Sequence, residues 1–430
     1  MGYGDWVHDF VLKGDICYSA TRNSLHISEH SFLVCEEGKS AGVFPQVPAA
    51  YGHLPQIDYT GKLIIPGLVD LHLHAPQFAF RSLGMDLELL DWLEIHAFPE
   101  EAKYRDTVYG LRAYTALVED LKRGPNTRIC LFATVHVPTT LLLMDLLEKS
   151  GLVCLVGKVN MDRNSPNALR EADAETSAAL TREWLDRCGA YKNCRPILTP
   201  RFIPSCTDTL MHYLSDLQKQ YGLPLQSHLS ENQREIAWVR ELCPESSCYG
   251  DAYTRFGLFG GDVPTIMAHC VWPDATEIAL LRSRGVYVAH CPQSNTNLSS
   301  GMAPIRRFLD AGISVGLGSD VAGGVHTSIF RAMADAIQVS KLRRFAGGHH
   351  EAPLTLEEAF YLGTGGGGAF FGKVGSFAPG YEFDALVIDD ANTAPPFALT
   401  LRDRLERTVY LSDDRNIIAK YVRGVAISNF

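Results

Sequence analysis

The 430-residue sequence has no surplus of positive charge: 39 Lys and Arg stand against 49 Asp and Glu, a formal net charge of −10. Little is left over to displace counterions from a phosphate backbone, which argues against nucleic acid as a partner. There is no run of eighteen apolar residues, and Met1-Gly2-Tyr3-Gly4-Asp5-Trp6 shows no basic segment leading into an apolar one. The expectation is a cytoplasmic chain with no membrane partner. Eleven cysteines are an odd number, and no two are spaced Cys-x-x-Cys. That argues against a disulfide framework and against the zinc deaminases built on Pro-Cys-x-x-Cys. The thiols are expected to be reduced and buried as small apolar groups. A phosphate loop is missing too: Gly365-Gly366-Gly367-Gly368 follows a helical pattern and carries no Gly-Lys-Ser/Thr, so close helix packing is its expected use.

What is present reads as an ordinary globular chain, 46% hydrophobic and 20% charged, long enough for one large α/β barrel with an appendage. From Val7 to about Lys62, short alternating segments such as Phe10-Val11-Leu12, Ser24-Leu25-His26-Ile27 and Phe32-Leu33-Val34 are broken by Gly, Pro and Asn, which predicts small antiparallel β structure. Strand-like segments return at 381–388 and 418–423. The two termini are therefore expected to build one small β domain, residues 1–62 with 375–430, around a domain spanning 63–374.

Within that middle stand eight β-rich runs, Ile64–His74, Arg128–His136, Leu152–Asn160, Pro196–Phe202, Pro224–Ser230, Thr265–Val271, Val286–His290 and Ser314–Asp320, separated by helical patterns or loops. Helical periodicity is visible at 231–239, 275–282 and 354–362. Strands alternating with helices over this length predict an α/β fold of the (β/α)8 type. The last residues of the runs include His72 and His74, His136, Asn160, Arg201, His228, His269, His290 and Asp320. Active sites of such barrels lie at the C-terminal strand ends, where these side chains would converge.

In Asp70-Leu71-His72-Leu73-His74, period-two alternation sends both histidines off one face of the strand, a metal-ligand spacing. Three histidines and an aspartate from different strands, His72, His74, His228 and Asp320, can hold one divalent ion and leave a position for water. Glu231, three residues beyond His228 where strand turns into helix, is the expected general acid/base. The competing use is a first-turn glutamate favoured by the helix dipole, in a capping arrangement. His269 is open between a fourth imidazole ligand, a polariser of the attacking oxygen and a core histidine. The remaining histidines, His96, His136, His290, His349 and His350, are expected to be structural, with an outer hydrogen-bonding role open to His290.

The strand Pro66–His74, the later histidines and the late aspartate carry the general pattern of the amidohydrolase superfamily, and His74–Gln77, Asp86-Leu87 through Trp92-Leu93, Phe98-Pro99, Val156–Val159, Thr199–Phe202, Gln226–Asn232, Ala289–Pro292 and Gly316–Gly324, in this order, resemble its guanine deaminase family. The resemblance runs from about residue 61 to 380, with an echo at 411–417. It implies a TIM-type barrel with a small β-sandwich formed by both termini, hydrolysis of guanine to xanthine and ammonia, one Zn2+ per subunit, and a homodimer. By the same carry-over, His72, His74, His228 and Asp320 match zinc ligands, and Glu231 matches the proton shuttle. His269 matches the residue beside the metal's water. Gln77, Arg201 and Phe202 match guanine contacts, with His228 also at the substrate and Asp320 also catalytic. The chain departs from the family at Arg123-Gly124-Pro125-Asn126-Thr127-Arg128, where Gly-Thr-Thr-Thr is usual, and at the glycine-rich stretch 363–368. Two alternatives stay open: another nitrogen heterocycle (a triazine, cytosine or an adenosine derivative), or a scaffold protein without catalysis. Arg201 favours guanine over adenine, because a donor-only group pairs with a carbonyl oxygen and ring nitrogen but meets an amino group donor to donor.

Overall fold

The computed structural model describes residues 9–346 and 351–427; the start of the first β region at Val7, and His349 and His350, lie outside them. Its strands in chain order are β1 (Phe10–Thr21), β2 (Ser24–Glu36), β3 (Lys39–Phe44), β4 (Gln56–Pro66), β5 (Leu68–His74), β6 (Asn126–Phe132), β7 (Val153–Gly157), β8 (Val159–Asn160), β9 (Cys194–Pro196), β10 (Thr199–Pro200), β11 (Leu225–Leu229), β12 (Thr265–His269), β13 (Tyr287–His290), β14 (Val315–Leu317), β15 (Ala385–Ile388), β16 (Ile417–Val422) and β17 (Val425–Ala426). With the intervening helices they make a mixed α/β fold.

Both termini do join in one sheet, ordered β17-β16-β15-β4-β1-β2-β3. It is not purely antiparallel, because β1 pairs with β4 in parallel. The segments read separately within 24–36 are one continuous strand. Period-two alternation gives the sheet two buried faces: Ile64, Ala385 and Val387 pack with Phe10, Phe383 and Tyr421, whereas Leu63, Ile65, Leu386 and Ile388 face the main core.

The other strands are parallel and form two four-stranded sheets, β5-β6-β7-β9 and β11-β12-β13-β14, with β8 and β10 paired separately. A bridge from Leu198 to Leu225 links one side, and β14 lies against β5 on the other. Three expected runs are interrupted. The run from Ile64 to His74 divides at Pro66-Gly67 into β4, in the terminal sheet, and β5. A Cβ on Gly67 would stand 2.3 Å from Thr127, so only glycine fits that crossing. Residues 152–160 divide at Lys158 into β7 and β8, and residues 196–202 keep only the end of β9 at Pro196 and the two-residue β10, since Pro196 and Pro200 donate no backbone hydrogen bond.

The Gly365–Gly368 run is a packing device, as its context predicts. A π-helical turn at Leu362–Gly366 continues the helix Leu356–Tyr361. Gly367 lies so close to β14 that a Cβ on Gly316 would stand 2.7 Å from its Cα. No disulfide joins any of the eleven cysteines, and all but Cys248 are buried. No helix among the described residues is long and apolar enough to cross a membrane.

Candidate metal centre and adjoining cavity

The C-terminal ends of the parallel strands bring together the residues that the sequence singles out. His72 and His74 leave one face of β5 with their rings 4.9 Å apart, over the Phe132 ring at the end of β6. Backbone hydrogen bonds from Asp320 N to His72 O (2.8 Å) and from His74 N to Val321 O (3.2 Å) clamp the loop after β14 to β5. Asp70 reinforces the clamp by accepting from both His72 N (3.1 Å) and Ser319 N (3.0 Å). The Asp320 carboxylate thereby lies 3.2 Å from His72 Nε2 and 3.6 Å from His74 Nε2.

His228 arrives from β11. Its Nδ1–H donates to the Arg201 carbonyl at 2.6 Å, which leaves Nε2 with a free lone pair 3.1 Å from His74 Nε2. His269, from β12, is oriented by Asn295, whose Oδ1 accepts from Nδ1 at 2.8 Å. Its Nε2 then points at Glu231 Oε2 (3.4 Å) and Asp320 Oδ2 (3.8 Å). Ser230, His269 and Asp320 all adopt left-handed backbone, at φ 47°, 73° and 47°. Such conformations cost about 1–3 kcal/mol each and cluster where geometry is dictated by use.

The electrostatics suit a cation. Burial works to raise the Asp320 carboxyl, but the His72, His269 and His74 imidazoles together hold it well below the usual carboxylate range. Burial lowers His72, His74 and His228, which favours the unprotonated rings that a cation needs. Both ring nitrogens of His72 are buried without a hydrogen-bond partner; its Nε2 is close to Asp320 but out of line for a hydrogen bond. Ligand atoms of His72, His74 and Asp320, and of His72, His228 and His269, lie within 4.8 Å of one another. An orphaned imidazole facing a carboxylate among neutral imidazoles is the donor set a divalent metal takes.

Glu231 is not the capping glutamate. The helix Gln233–Leu242 starts after it, capped by Asn232, and Glu235 fills the capping role. Glu235 Oε2 accepts from the backbone N–H of Glu231 (3.0 Å) and Asn232 (3.2 Å), while Tyr249 donates to Oε1 at 2.8 Å. Released from the cap, the Glu231 side chain turns inward and accepts from Ser300 Oγ at 3.0 Å. Burial, and then the charge of Asp320, push it up to about 8.

Beside this cluster a cavity is lined by Gln77, Arg201, Phe202, Glu231, Asp320 and an apolar wall including Leu89, Trp92 and Leu298. Arg201 is not a free fork. It forms a buried two-point ion pair with Glu101, which also accepts from Gln77. Phe202 stands edge-on to Trp238 with ring centroids 6.1 Å apart.

Other residues that the sequence singles out do not join. Asn160 donates to Ser177 and Thr181. His136 precedes the helix Val137–Ser150, where burial lowers it to about 4. His96 stacks on Phe80. His290 lines a separate small cavity with Arg306 and Arg343, and burial lowers it to about 3. Sequence reasoning missed Glu101, Asn295 and Ser300, along with Cys291, whose thiol lies within 4.8 Å of donor atoms of His269 and Asp320. Of these only Cys291 stands directly after a strand-end histidine, a position that could have marked it.

The amidohydrolase family model matches residues 63–427. Guanine deaminase of Dictyostelium discoideum is 42% identical, with 96% of this chain and 97% of that protein covered. Guanine deaminase of Homo sapiens is 36% identical over 86% and 84%. Among solved structures, guanine deaminase from C. acetobutylicum with guanine bound in the active site superposes with a TM-score of 0.95 at 46% identity, covering 97% of this chain and all of that one.

Proposed function

Because the chain belongs to the amidohydrolase family, in its guanine deaminase branch, we propose that it hydrolyses guanine to xanthine and ammonia in purine breakdown. The observation that carries this reading is that one cavity is lined by an inward-turned Glu231, a buried Arg201 and the groups beside orphaned His72, namely His74, His228 and Asp320. The parallel strands are read as closing into a (β/α)8 barrel over 63–374, and residues 1–62 with 375–430 as the small β-sandwich domain.

In this reading His72, His74, His228 and Asp320 hold one Zn2+ per subunit. A divalent ion there supplies hydroxide at neutral pH by lowering the pKa of a water to about 7. The protein's own groups do the rest. Glu231 takes a proton from the attacking water and delivers it to the ring nitrogen beside the carbon that bears the amino group. The water oxygen adds to that carbon. Its second proton leaves by way of Glu231 to the amino nitrogen, the C–N bond breaks, ammonia departs and a carbonyl remains. His269 faces the added oxygen, and the ionised Asp320 carboxylate accepts a hydrogen bond from its O–H, which holds that oxygen in place while its second proton leaves.

Arg201 meets the purine carbonyl oxygen and neighbouring ring nitrogen, Gln77 meets another part of the polar edge, and Phe202 with the apolar wall holds the flat ring. The chain is further read as a cytoplasmic homodimer. Side-by-side ammonia release from guanine, adenine and cytosine tests the substrate: turnover of guanine alone is expected, and preference for either competitor overturns the reading.

A further inference from the structure

A carboxylate stands behind the purine-reading side chains without touching the cavity. Glu101 lies in the short helix Phe98–Ala102, only 2% exposed, and does not line the cavity that Arg201 and Gln77 line. Its Oε2 accepts from Arg201 Nη1 at 2.6 Å, and its Oε1 accepts from Arg201 Nη2 at 3.0 Å and from Gln77 Nε2 at 2.8 Å. One group therefore fixes two neighbours that reach the cavity from different parts of the chain.

The consequences differ for the two partners. A guanidinium has five donors in one plane, and a two-point pair with a carboxylate fixes that plane and leaves three donors for other use. The Phe98 ring, 5.0 Å from Arg201 Cζ, closes off part of the space beside it. For Gln77, donation to Glu101 and acceptance from Ala322 N at 3.2 Å set which end of the amide is oxygen. A flipped amide would turn its oxygen on the carboxylate and its NH2 on a backbone N–H, losing both bonds. The donor and acceptor pattern offered to a ligand is thus dictated by a residue that the ligand never meets.

We propose that Glu101 is the specificity-positioning residue of this site: it holds the plane of Arg201 and the sense of Gln77 so that the cavity selects a purine with a carbonyl oxygen beside its ring nitrogen over one with an amino group there. The inference rests on the reading that Arg201 and Gln77 meet the purine edge. A carboxylate serving only to neutralise a buried arginine would matter for stability and leave discrimination unchanged.

The test is Glu101→Gln in the metal-loaded protein, an isosteric change that keeps one acceptor and places an NH2 against Arg201 or Gln77. Expected is a loss of about a hundredfold in kcat/KM for guanine, carried mainly by KM. Inhibition by adenine should hold or strengthen, and metal content should not change. Glu101→Asp, which keeps the charge, should recover part of the KM and serves as the second variant if the glutamine protein does not fold. In an Arg201→Lys background, Glu101→Gln should add little, since it acts through the same group. An unchanged guanine KM in folded, metal-replete Glu101→Gln protein overturns the positioning role alone, as do losses that multiply in the double variant. Failure of the unsubstituted protein to turn over guanine would remove the underlying reading as well.

Discussion

Buried polar groups are treated in opposite ways at the two ends of the parallel strands. Near the start of β6, where that strand meets the terminal sheet, Arg128 forms a two-point pair with Asp384 and a third bond to Glu382. Arg423 donates to the same two acids, to Asp384 from its backbone N–H and to Glu382 from its side chain. Lys420 donates to the carbonyls of Leu121, Lys122 and Gly124 at the end of the helix Thr107–Arg123. At the opposite end, His72 Nδ1 and Nε2, Asp70 Oδ2, Ser319 Oγ and Asn295 Nδ2 are buried with no partner. Each such group costs about 1–3 kcal/mol. Partnerless buried atoms also occur elsewhere, among them Tyr104 Oη, Gln226 Oε1 and Ser412 Oγ, but those at this end include both nitrogens of His72, whose ring shares a donor set with His74 and Asp320.

Substitutions at the two ends should therefore separate chemistry from stability. The largest effect is expected from Glu231→Gln, which should keep the metal and the fold and lower kcat for guanine about a hundredfold to ten-thousandfold. Full turnover in that variant would remove Glu231 from the proton path. Arg128→Met strips Asp384 of its two-point partner and should cost about 3–5 kcal/mol in urea unfolding, with guanine KM and metal content unchanged. Loss of metal in Arg128→Met would mean that the two ends are not independent.

Gly316→Ala probes the packing between them. Its Cβ would stand 2.6 Å from Leu71 Cδ1 and 2.7 Å from Gly367 Cα, so a melting experiment should read about 1–3 kcal/mol of destabilisation. The smallest effect is a slope. Burial pulls the Lys420 ammonium down to about 7 in the folded chain, against about 10.4 when unfolded. Between those values the unfolded chain binds more protons, so stability rises with pH across that window, by at most on the order of 1 kcal/mol per unit. Lys420→Met should flatten the rise between pH 7 and 10; an unaltered slope would assign it to another group.

What the sequence shows of this comparison is uneven, for physical reasons. His72 and His74 are legible because strand periodicity puts them on one face, and the strand-end placement of His228, His269 and Asp320 follows from the alternation of strands and helices. Glu231 is legible as a position, but which glutamate caps the next helix depends on where that helix begins, and Glu235 takes the role. Glu101 is not legible: its partner Arg201 is a hundred residues away, and its neighbour Glu100 looks the same in sequence yet pairs with Lys103 and Tyr109. Arg128 stands out as a departure from the family pattern, but its partners Asp384 and Glu382 belong to the far end of the chain. The parallel pairing of β1 with β4 is equally hidden, since alternation reports the face of a strand and not its direction.

The most direct test of the central claim is metal content and guanine turnover recorded on the same sample, through chelation and re-addition of Zn2+. Ammonia release and bound metal should fall and return together, reaching full rate near one ion per chain, and His72→Ala should lose both. Undiminished turnover in metal-stripped protein, or a full complement of metal in His72→Ala, would contradict the account.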